Sequence, residues 1–62
     1  MGEFERGTEY ATNALSAMTS TQCEQWALQQ SHRIGLSFGG EYNNAIKKVL
    51  VSRGLWPTVD QI

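Results

Sequence analysis

Apolar positions recur along the chain at three- and four-residue steps, in three separate stretches. Phe4, Gly7, Ala11, Ala14, Leu15 and Met18 form the first. That spacing places them on one face of a helix over about residues 3–18. Glu3 and Glu5 fall in its first turn, where the helix dipole favours negative charge. Gly7 lies on the inward face and costs up to about 1 kcal/mol of helix propensity relative to alanine. A glycine there, with Ala11 and Ala14 beyond it, predicts a second helix packed close against the first.

Polar residues then interrupt the pattern at Thr19-Ser20-Thr21-Gln22-Cys23-Glu24. Thr19 with Gln22, or Thr21 with Glu24, has the spacing of a capping box. The Thr19 choice also pairs Met18 with Cys23 as a hydrophobic staple, and is preferred for that reason. A second helix follows over about 20–34, with Cys23, Trp26, Ala27 and Ile34 inward and Gln30 breaking the stripe. Gly35 is its expected C-terminal stop.

Leu36-Ser37-Phe38-Gly39-Gly40 reads as a connector. Tyr42, Ala45, Ile46, Val49 and Leu50 then give the most regular periodicity in the chain, a third helix over about 40–53. Gly54 takes the C′ position, and Leu50 with Leu55 supplies the hydrophobic pair of a Schellman stop. Pro57 prevents the helix from resuming. Trp56 is expected to fold back onto the core or onto a partner. No stretch alternates strictly as a strand would. The fold class is all-α: one compact three-helix domain spanning residues 1–62, with an apolar C-terminal tail packing back.

Length limits what such a domain can do. A 62-residue chain buries only about 60% of the surface its unfolded form exposes, and it has no room for a cleft between two domains. No apolar run approaches the roughly 18 residues that span a bilayer, so no membrane association is expected. Cys23 is the only cysteine and His32 the only histidine, which leaves no internal disulfide and no four-ligand zinc site. The start lacks a secretory signal. Gly2 falls short of a myristoylation motif because Arg6 stands where serine or threonine is required. A soluble, cytoplasmic protein is expected.

Reactive groups do not cluster either. Cys23 and His32 sit nine residues apart on one predicted helix, which is about 13–14 Å of rise on roughly opposite sides. They cannot act as a nucleophile and its base. Cys23 reads as a small core residue, and Glu3, Glu5, Glu9 and Glu24 read as helix-start acids. Gly39-Gly40 is followed by Glu41 and makes no phosphate loop. The protein is expected to be no enzyme and to need no cofactor or metal.

Charge is uneven along the chain. Residues 1–30 hold four acids against Arg6, a balance of -3; residues 31–62 hold Arg33, Lys47, Lys48 and Arg53 against Glu41 and Asp60, a balance of +2. Helix dipoles alone favour acids early and bases late. The competing explanation is a basic face that meets phosphate or an acidic protein.

Two functions fit this pattern. The first is a protein-binding module, an accessory or inhibitory chain that docks on a larger protein of the cell or host, of a kind that phages and other mobile elements encode. Aromatics at element ends favour it, because such residues are enriched at interface hot spots, and a core this small gains from a partner. The residues expected to carry it are Phe38, Trp56, Arg33, Lys47 and Arg53, with a homo-oligomer, a dimer above all, as the expected state. The alternative is a helix-turn-helix DNA-binding regulator with its turn at Ile34-Gly35-Leu36-Ser37. Asn43 and Asn44 would then face adenine edges, with Lys47 and Lys48 near phosphates. The run Tyr42-Asn43-Asn44-Ala45-Ile46-Lys47-Lys48-Val49-Leu50 resembles the recognition helix of Cro-like phage repressors, a resemblance that implies DNA reading by the third helix. Counting the turn from Gly35, however, puts Glu41 and Asn44 where that fold has aliphatic residues. The chain is also acidic, with a pI near 5.6, so protein binding ranks first.

Overall fold

A computed structural model describes residues 2–36 and 40–56, with the side chain of Leu36 left aside. Three helices follow one another: α1 (Glu3–Ser16), α2 (Ser20–Leu36) and α3 (Glu41–Ser52). Phe38, Pro57 and the rest of the apolar tail lie outside the described residues.

α1 starts at Gly2, whose extended backbone (φ -80°, ψ 164°) lets its N–H reach the Glu5 carboxylate at 3.4 Å. It ends at Ser16, two residues earlier than the periodicity predicts. The N–H groups of Ala17 and Met18 bond to Ala14 and Leu15, at 3.3 and 3.4 Å, in a tightened last turn. The turn is set by the next helix. Thr19 N–H donates to Gln22 Oε1 at 3.0 Å, and Gln22 N–H donates to Thr19 Oγ1 at 3.3 Å, the reciprocal capping box. Met18 and Cys23 both pack against the core beside it.

Gly35 does not stop α2; the helix runs through it to Leu36. A glycine weakens a helix without ending it, and a Schellman or αL stop requires the left-handed conformation. The chain takes positive φ only at Gly40 (99°) and Gly54 (69°) among the described residues. Gly40 is thus the N-cap of α3. At the other end, Gly54 N–H bonds to Val51 O at 3.0 Å and Leu55 N–H to Leu50 O at 2.8 Å. These are the two bonds of the expected Schellman stop.

α1 and α3 form the close pair, running antiparallel: Phe4 lies beside Lys48, Gly7 beside Ala45 and Tyr10 beside Tyr42. A Cβ on Gly7 would strike the carbonyl oxygen of Tyr42 and come within 2.9 Å of the Ala45 Cβ. The missing side chain is what permits the approach. α2 crosses this pair with far fewer close backbone approaches. The buried core gathers Ala11, Leu15, Ala27, Ile34, Ile46 and Leu50, with Trp26, Tyr42, Val49, Leu55 and Trp56 packed around it. Ile46 and Leu50 are its largest fully buried side chains. Trp56 does fold back, as the sequence predicts.

Candidate functional site

Asn44, Lys47, Lys48 and Val51 stand at i, i+3, i+4 and i+7 on α3, the spacing of one helix face. The core takes the opposite side of the helix through Ala45, Ile46 and Leu50, so these four form an outward ridge, all of them exposed. Aromatic rings bracket the ridge. On one side Lys47 Nζ lies 5.2 Å from the centroid of Trp56; on the other, Lys48 Nζ lies 5.9 Å from the centroid of Phe4. Both distances fall within cation–π range, worth about 0.5–1 kcal/mol at an exposed site. Each ammonium lies over a ring while the residue as a whole stays exposed. Val51 is 54% exposed and Phe4 37%, so apolar surface sits among the cations.

The dipole does not account for these lysines. α3 carries no basic residue in its last turn, and dipole stabilisation falls off within that turn. Only Arg53, the C-cap, is placed where the dipole would favour it. Lys47 and Lys48 sit mid-helix, against aromatics drawn from α1 and from the chain after α3.

The remaining residues singled out by the sequence separate into two groups. Arg53 is exposed at the C-cap of α3, nine residues beyond Asn44 and so about 180° round the helix from the ridge. Arg33 lies apart from it. Its Nε and Nη2 donate to Gln30 Oε1 at 3.1 and 2.7 Å, and its Nη1 donates to Asn43 Oδ1 at 3.2 Å. Arg33 therefore ties α2 to α3, and Gln30, the polar break in the α2 stripe, is its acceptor. Asn43 is half-buried in this contact, whereas Asn44 is exposed on the ridge. Ile34, Gly35 and Leu36 are helical, which removes the turn expected at 34–37. Phe38 falls outside the described residues.

Sequence reasoning missed the pairing of Phe4 with Lys48, which joins the start of α1 to the middle of α3. It also missed Val51, whose signal was available: an aliphatic residue falling on the polar side of a regular stripe. Exposed Leu28, at 61%, is a similar case on α2.

Two shallow grooves flank α1. Phe4, Thr8 and Thr12 line one, edged by Glu5, Glu9 and Asn13. The other is formed by Arg6, Glu9, Tyr10, Asn13 and Tyr42. Above the latter, the Tyr10 ring lies 5.9 Å from both Trp26 and Tyr42, so each helix contributes one ring. The Cys23 thiol is half-buried and donates to the Leu15 carbonyl at 3.3 Å, while His32 is exposed. Among the described residues no group of three or more His, Cys, Asp or Glu comes together, and no helix is long and apolar enough to cross a membrane. Comparison with protein-family models, curated proteins and solved structures finds no match to this chain.

Proposed function

We propose that the protein is a small non-enzymatic protein-binding module, acting in the cytoplasm as an accessory or inhibitory chain that docks on a larger protein through the outward ridge of α3. One observation carries this reading: Lys47 and Lys48, mid-helix and exposed, each rest on an aromatic ring, with Val51 bare between them. Cations and apolar atoms so interleaved suit an acidic protein surface with an aliphatic or aromatic centre. The apolar atoms give affinity on desolvation and the charges give steering and register. DNA reading by α3 has weaker support, because Asn43 is engaged by Arg33 and the lysine ammonium groups lie over the protein's own aromatics.

Affinity capture from a lysate tests both readings, with nuclease treatment of half the sample. The wild-type chain is expected to retain a protein that survives nuclease, and Lys47→Glu/Lys48→Glu to lose it while keeping its helicity by circular dichroism. Capture that disappears with nuclease would favour the DNA reading. Capture indifferent to the lysine reversal would remove the ridge from the interface.

A further inference from the structure

We infer that the α3 ridge also pairs with a second copy of this chain, across a two-fold axis near Phe4. The inference rests on reading the ridge as a contact surface, and it names an acidic counterpart for that ridge within the molecule itself.

Phe4 borders two surfaces of opposite sign. On one flank it opens the α1 groove with Thr8 and Thr12, whose acidic edge is Glu5 and Glu9, one helical turn apart. On the other flank it lies under Lys48, which stands next to Lys47 on the ridge. Acids on one side of an exposed aromatic and bases on the other form a self-complementary patch. A two-fold rotation about Phe4 carries the acidic edge of one copy onto the ridge of the next, and does so twice. The two Phe4 rings and the Val51 side chains then supply apolar contact between the charged flanks. Size also requires both flanks. A standard interface takes about 800 Å² from each partner, close to a fifth of the 4480 Å² this chain exposes, and Phe4 alone cannot provide that.

A second copy and a larger acidic partner therefore compete for the same ridge. Self-pairing covers the lysines until a partner with a stronger acidic surface displaces it.

Sedimentation over a concentration series tests the pairing. The wild-type chain is expected to form a reversible dimer that weakens as salt is raised. Glu5→Lys/Glu9→Lys alone, or Lys47→Glu/Lys48→Glu alone, should weaken it about tenfold or more. Mixing the two variants should restore it, which also shows that both are folded. Glu24→Lys, on the exposed side of α2, should leave the dimer unchanged. A monomer at every concentration overturns the proposal, as does a dimer indifferent to the reversals or one equally lost with Glu24→Lys. A monomer whose lysate capture still depends on Lys47 and Lys48 would sink self-pairing and leave the docking reading standing. A salt-sensitive dimer that captures nothing would do the reverse.

Discussion

α1 and α3 come closest at Gly7, which has no side chain, whereas α2 meets Tyr10 of α1 through the large ring of Trp26. At the α1–α3 seam Gly7 faces Ala45 and the backbone of Tyr42. On the α2 side Trp26 and the two tyrosines stand between the helices, and close backbone approaches are few. The two contacts gain stability differently. The seam depends on the absence of atoms, so any added methylene is felt. α2 depends on Trp26, on buried Ala27 and Ile34 and on its own ends, and it tolerates change on its exposed side. One kind of substitution, glycine to alanine, can therefore have opposite signs in the two regions.

Gly7→Ala should have the largest effect. Alanine gains up to about 1 kcal/mol of helix propensity, but its Cβ meets backbone at Tyr42, and overpacking of this kind costs about 1–3 kcal/mol. Backbone cannot swing aside as a flexible side chain would, so the clash outweighs the propensity gain. With a backbone clash the cost falls at the upper end of that range, so the net loss is about 2 kcal/mol, seen as a melting temperature lower by about 10 °C. Unchanged or raised stability would mean that α1 and α3 are not in close contact there.

Thr19→Ala comes next. It removes the hydroxyl that accepts the Gln22 N–H and leaves the Gln22 side chain on the Thr19 N–H. Losing an N-cap acceptor costs about 1 kcal/mol. Hydrogen exchange should quicken first in the opening turn of α2, with α1 and α3 little affected. Uniform loss of protection across all three helices would show that α2 has no independence from the seam.

Elements of the fold with local causes were legible in the sequence. The α3 stripe, the Thr19–Gln22 box and the Gly54 stop each depend on residues within a few positions of one another, and all appear as expected. The close packing at Gly7 was legible because glycine on an inward helix face has few other uses. The α1 terminus was not, since the next helix sets that turn, nor was the passage of α2 through Gly35, since a glycine inside a helix weakens it without ending it. The same limit governs the candidate site. Lys47 and Trp56 were singled out separately, by charge and by position, but their stacking depends on the chain folding back after Gly54. Lys48 meets Phe4 only because α1 and α3 run antiparallel, a tertiary fact with no signature at either residue. Arg33 was singled out as a partner-binding residue, and its fork on Gln30 and Asn43 is again a product of helix docking.

Gly35→Ala is the smallest expected effect and the sharpest counterpart to Gly7→Ala. Gly35 lies inside α2, without the positive φ found at Gly40 and Gly54, and a Cβ built on it meets nothing within 4 Å. Neither strain nor collision opposes the substitution. Alanine restricts the unfolded chain and favours the helix, together a gain of about 0.4–1 kcal/mol. The melting temperature should rise by about 4 °C, and exchange should slow at the C-terminal end of α2. If stability falls instead, Gly35 adopts a left-handed conformation in solution and ends the helix there. α2 would then stop at Ile34, as its hydrophobic stripe alone predicts, and the two glycines would no longer report on two different kinds of contact.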